Sequence, residues 1–148
     1  MITYSEVSKA VLATASDLAV RTAGLICTEH LLYGLSCAEG CDAKELLSKC
    51  GLTSGALLAY FKPTPPTTAV RMSPRASVAV DDAQDVALRL GSSAVEPEHI
   101  LYTVLEDKTS VACDIIRGMG VDPEHLQRLT YNAIVGCAGS RPSMSVFG

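Results

Sequence analysis

The eight residues Thr28-Glu29-His30-Leu31-Leu32-Tyr33-Gly34-Leu35 return as Pro97-Glu98-His99-Ile100-Leu101-Tyr102-Thr103-Val104, at a constant offset of 69. The register continues without a gap to Gly51-Leu52 and Gly120-Val121. A self-match of this length constrains the fold more than any local motif, because each copy must form the same unit and the two must share a core. Upstream, Leu12, Ala15, Leu18 and Ala19 recur as Val80, Ala83, Val86 and Ala87 at an offset of 68. One residue has therefore been added between the first and second segments of the later copy.

The periodicity within each copy is helical. Ser5 is a suitable N-cap, and Val7, Val11, Leu12, Ala15, Leu18 and Ala19 follow at the spacing of one helix face, predicting a helix over 5–22. Gly24 ends it. A second helix is expected from Thr28 to about Cys37, with Leu31, Leu32 and Leu35 inward. A third starts near Asp42 and buries Ala43, Leu46, Leu47 and Cys50, with Gly51 as its left-handed terminator. A short fourth, over 54–61, carries Leu57, Leu58 and Phe61. Ser73-Pro74 then reopens the pattern as N-cap and first-turn proline. Ala112, Ile115, Ile116 and Met119 repeat the third stripe, and Asp122-Pro123 opens an eighth helix over 123–135. The expected fold is all-α: eight helices as two pseudo-symmetric four-helix repeats, with no strand. The repeats occupy 1–61 and 73–135. Residues 62–72, rich in proline and threonine, read as a semi-rigid linker. Residues 136–148, with glycine, serine and proline and no periodicity, read as a flexible tail.

Composition narrows the function classes. The chain has 148 residues, 48% hydrophobic, with mean hydropathy +0.26, yet no window reaches the roughly 18 uninterrupted apolar residues of a membrane span. The start, Met1-Ile2-Thr3-Tyr4-Ser5-Glu6, has no basic segment leading into an apolar one, so a cytoplasmic protein with reduced thiols is expected. A net charge of -4 argues against a nucleic-acid partner. Residues 73–134 hold ten acidic and five basic side chains against six and four in 1–61. The later lobe is the more negative, which suits basic or unfolded cationic segments as partners, or simply a solvated face.

Candidate chemistry is sparse. No lysine follows a glycine, which excludes a P-loop, and no Gly-x-Ser-x-Gly occurs. Six cysteines stand at 27, 37, 41, 50, 113 and 137; with His30 near Cys27, Cys37 and Cys41, a zinc site has to be weighed. No C-x-x-C pair exists, however, and the second copy keeps none of those cysteines. No metal, no cofactor and no enzyme are expected. Glu29 and Glu98 fall in the first turn of equivalent helices, where the dipole favours a carboxylate and where a pair of carboxylates could hold a guanidinium. His30 and His99 can hydrogen-bond back to their helix starts. Asp122-Pro123-Glu124-His125 carries the same Pro-Glu-His trio outside the repeat, so the trio reads partly as a general helix-start device.

Two copies of a four-helix unit containing T-E-H-L-L-x-G-L, with Ser73-Pro74-Arg75-Ala76 opening the second, resemble the Clp N-terminal repeat domain of ClpA/ClpC-type AAA+ unfoldases. The resemblance covers residues 4–135. It implies a module that docks adaptor proteins and protein substrates for a hexameric ATPase feeding the Clp protease, with the tail as linker to an ATPase module. It also implies, as in Gram-positive ClpC-type members, recognition of phosphoarginine. There a hydroxyl at a first-helix start meets phosphate and the glutamate of T-E-H meets guanidinium; the matching residues are Ser5 with Glu29, and Ser73, beside Arg75, with Glu98. This chain departs from the family pattern at Val7, which replaces an arginine, and in the run 22–27 before T-E-H. Two other readings stay open: a free-standing Clp-repeat accessory protein that modulates an unfoldase or protease, and a thiol- or metal-dependent regulator using Cys27, Cys37 and Cys41.

Overall fold

Helix-forming periodicity dominates the computed structural model of the chain, which describes residues 2–66 and 70–140, the last four by backbone alone. Among these residues there are eight helices: α1 Glu6–Thr22, α2 Thr28–Cys37, α3 Asp42–Lys49, α4 Ser54–Leu58, α5 Pro74–Arg89, α6 Pro97–Glu106, α7 Val111–Gly118 and α8 Pro123–Ser140. Their starts follow from local chemistry. Ser5, Thr53, Ser73 and Ser110 each place a side-chain oxygen on a backbone N–H three residues on, as an N-cap should. Gly51 and Gly120, with φ of 82° and 84°, take the left-handed conformation that ends α3 and α7.

Four two-residue strands accompany the helices, where none was expected: β1 Thr3–Tyr4, β2 Leu25–Ile26, β3 Arg71–Met72 and β4 Ala94–Val95. Strands so short leave no periodicity to read. Their pairing is parallel and crossed. β1 of the first copy pairs with β4 of the second, and β3 of the second with β2 of the first. Each copy therefore contributes the lead-in to its own first helix to the other copy's second.

Three further expectations are corrected. The fourth helix stops at Leu58, which is 44% exposed, while Phe61 lies beyond it against His30 and Tyr33. The eighth runs to Ser140 and packs on α6 and α3, so the two fourth helices are not equivalent. Leu46 is only half-buried, whereas Ala43 and Leu47 are sealed. The third helix thus turns a narrower face inward than its stripe suggests. Residues 67–69 of the expected linker and 141–148 of the expected tail lie outside the described residues. Thr64 N–H bonds to Arg21 O at 2.9 Å, so the linker's first part is pinned to α1.

One continuous core joins the lobes, centred on Leu31, Leu32, Leu35, Ile100, Leu101 and Leu105 of the two repeated helices. α1 and α2 approach closely at Gly34, where an added Cβ would lie 2.5 Å from Val11 O. The equivalent Thr103 keeps its helices apart enough for its hydroxyl to donate to Ala79 O at 2.8 Å. Gly34→Ala should therefore force α1 from α2 and cost about 1–3 kcal/mol, read as a lowered denaturant midpoint with unchanged m-value.

Candidate functional site

The crossed strands decide which candidate residues meet. Ser5 N–H donates to Val95 O at 3.0 Å, and Ser8 Oγ donates to the same oxygen at 2.7 Å. The start of α1 thus lies against the start of α6, which carries Glu98. Ser73 N–H donates to Ile26 O at 2.8 Å, setting the start of α5 against that of α2, which carries Glu29. The partners expected within each copy, Ser5 with Glu29 and Ser73 with Glu98, are exchanged: the structure brings Ser5 to Glu98 and Ser73 to Glu29. Both serine hydroxyls accept from the N–H three residues on, Ser8 and Ala76, at 3.1 Å.

The two glutamates have different surroundings. Glu98 Oε2 accepts from Ala43 N–H at 2.9 Å, so a carboxylate from the second copy caps α3 of the first. The cause is local: the N-cap of α3 is Cys41, which makes no side-chain cap bond. In the other copy Ser110 caps α7 itself, and Ala112 N–H, the counterpart of Ala43, goes to Thr28 Oγ1 at 3.3 Å. Glu29 is left with Oε1 buried and without a hydrogen-bond partner. Burial pushes both carboxyls above the usual range, against the pull of their backbone N–H partners.

Glu98 lines a cleft of about 660 Å³ together with Val7, Cys41, Asp42, Glu96 and Ile134. On the other side, Thr28, Pro74, Arg75, Val78, Glu106 and Asp107 border a groove of about 400 Å³. Arg75 is not a free cation there. Its Nη1 donates to Asp107 Oδ2 and Thr109 Oγ1, both at 2.8 Å. The Thr109 hydroxyl, and behind it the Arg75 guanidinium, hold the Asp107 carboxyl below its ordinary range. Sequence reasoning missed Asp42 and Glu96 as neighbours of Glu98. The only available clue was that a helix start without a capping side chain, at Cys41, needs an acceptor from elsewhere.

The histidines serve the backbone. His30 Nδ1 accepts from Cys27 N–H at 2.9 Å and His99 Nδ1 from Glu96 N–H at 2.8 Å, closing capping boxes at the starts of α2 and α6. Burial lowers both imidazoles, that of His30 to about 4. His125, in the third Pro-Glu-His trio, behaves otherwise: the trio again starts a helix, α8, but His125 is exposed, with Nδ1 3.5 Å from Arg128 Nη2. Among the described residues, one group has the spacing of a metal site, Cys27, Glu29 and His30, with ligand atoms within 4.8 Å of one another. It does not include Cys37 or Cys41. His30 is occupied on both nitrogens, since Nε2 lies 3.1 Å from Thr22 Oγ1, and burial and the Glu29 charge push the Cys27 thiol up. These residues do not fit a metal without dismantling the helix start.

The fold is a duplicated helical unit in which each acidic helix start is set against a helix start of the other copy. The chain belongs to the Clp repeat N-terminal domain family: residues 71–141, the second copy, match the family model described as "Clp repeat (R) N-terminal domain". The chaperone protein ClpB of Oceanobacillus iheyensis is 35% identical over 126 residues, covering 80% of this chain. The chain spans 15% of that relative's length. The Hsp104 N-terminal domain of Candida albicans has the same fold, with a TM-score of 0.75 at 18% identity over 94% of this chain and 93% of that one. A ClpV N-domain solved in complex with a VipB peptide matches at a TM-score of 0.67 and 18% identity, over 90% of this chain and 88% of that one. No described helix is long and apolar enough to cross a membrane.

Proposed function

We propose that the chain receives adaptor proteins and protein substrates for a Clp-type AAA+ ATPase and hands them to a hexamer, with the Clp protease as downstream partner, in the cytoplasm. The chemistry of ATP hydrolysis belongs to other modules of such a protein; this chain contributes recognition. The observation that carries this reading is the exchange of strands. It builds two composite surfaces, Ser5 with Glu98 and Ser73 with Glu29, that exist only when both copies are folded together. The peptide bound to the ClpV N-domain supports a docking role for the fold.

Phosphoarginine on marked proteins is the proposed ligand chemistry. A helix start attracts phosphate, and a carboxylate with an unfilled oxygen, as in Glu29, suits a guanidinium. Calorimetric titration with free phosphoarginine should show saturable binding that disappears in a Glu29→Ala, Glu98→Ala double variant. Absent saturation, or binding unchanged in that variant, would remove phosphoarginine from the reading.

A further inference from the structure

The two composite sites are related by the internal repeat, so they can be compared position by position. Val7, Asp42, Glu96 and Glu98 line the first. Arg75, Val111, Cys27 and Glu29 hold the matching positions of the second, at offsets of 68 for the first pair and 69 for the others. Three of the four positions differ, and all three in one direction: where the second has arginine, valine and cysteine, the first has valine, aspartate and glutamate. The first set carries three carboxylates and no cation. The second carries one carboxylate and one arginine, the arginine already paired with Asp107.

Glu98 is also held in place. Ala43 N–H fixes one of its oxygens, and the charges of Asp42 and Glu96 lie close enough to oppose its ionisation. A cation entering the cleft would relieve that repulsion, whereas a phosphate would add to it. Val7 and Ile134 give the same cleft an apolar wall, so its occupant should carry an apolar group beside the charge.

We infer that the Glu98 cleft takes an unmodified arginine or lysine side chain of a bound protein segment and excludes the phosphorylated guanidinium, which is left to the Glu29 site. This rests on the docking reading above and divides its two sites by substrate class. The occupant is a basic peptide segment with an apolar neighbour.

The backbone supplies two reporters. Ala43 N–H is bonded to Glu98 and Ala112 N–H to Thr28, so their amide resonances mark the two sites separately. The experiment is an NMR titration at low salt with two peptides identical except for phosphate on their single arginine. The unmodified peptide should shift Ala43, and its affinity should fall roughly tenfold in Glu98→Gln, as expected for loss of a charge-assisted contact. That variant retains an oxygen for Ala43 N–H and so keeps the fold. Val7→Arg, which restores the second copy's residue, should weaken the same peptide. The phosphorylated peptide should shift Ala112 and leave Ala43 unmoved.

Three results would overturn the inference: no shift of Ala43 with the unmodified peptide, an affinity unaffected by Glu98→Gln, or phosphopeptide binding that depends on Glu98. Binding of the unmodified peptide at Ala43 with no phosphopeptide binding anywhere would uphold it while removing phosphoarginine from the proposed function.

Discussion

Replacing Leu101 by alanine should destabilise the protein by about 2–5 kcal/mol, lowering Tm by roughly 6–15 °C. Leu101 is 0% exposed at the centre of α6, in the core shared by both copies, and its counterpart Leu32 in α2 is equally sealed. The surrounding helices meet it from both lobes, so they cannot collapse into the space without breaking the repeat's own packing. The lost transfer energy and the residual cavity therefore add. Leu46→Ala is the contrasting case. Its side chain is half-buried at the edge of α3, and its truncation should cost about 1 kcal/mol, the transfer value for partial burial. Thermal unfolding of both variants tests this. If Leu101→Ala melted within a degree or two of the parent, or Leu46→Ala proved the worse, the assignment of inward faces would be wrong.

Acidification should be the second large effect. His30 is 1% exposed and held neutral, its imidazole lowered from an ordinary 6.5 to about 4 because burial disfavours the charged form. The neutral ring is also required chemically, since Nδ1 must keep a lone pair for Cys27 N–H. The unfolded chain takes up a proton near pH 6.5 while the folded chain resists until about 4. The stabilisation is therefore complete above pH 6.5 and lost as pH falls between those values. By pH 4.5 His30 alone should remove roughly 2–3 kcal/mol. His99, lowered for the same reason, acts in the same direction. Glu29 and Glu98 oppose it, because their raised carboxyls bind protons more readily folded than unfolded, and protonation there favours the fold.

Chemical denaturation at pH 7 and pH 4.5 measures the net effect. His30→Gln separates the contributions. Glutamine is the ordinary residue at this position of a capping box and can still accept from Cys27 N–H, but it does not titrate. The variant should lose much of the pH dependence. A stability profile in His30→Gln as steep as the parent's would assign acid sensitivity to other groups.

Much of the architecture was legible from residues alone because it is set by local interactions. The duplication, the starts of α1, α2, α3, α5 and α8, and the terminating Gly51 depend on contacts within about four residues along the chain. The same holds for the capping histidines, whose return to the cap was readable at 30 and 99. Leu46 and Leu58 were misread because a 3.6-residue stripe shows which face is apolar, not how wide the facing surface is.

What the sequence by itself determined is a repeated helical unit with a glutamate and a histidine at a fixed place in each copy. Only the tertiary structure decided that Ser5 belongs with Glu98 and Ser73 with Glu29, through bonds such as Ser5 N–H to Val95 O that span ninety residues. It also decided that Glu98 caps a helix of the other copy while Glu29 keeps an oxygen unfilled. The physical reason is that helix formation is a property of neighbouring residues, whereas the pairing of two-residue strands and the meeting of helix starts follow from how two copies bury one core. Charges that look scattered along the chain, Asp42, Glu96 and Glu98, become one cleft only after that burial.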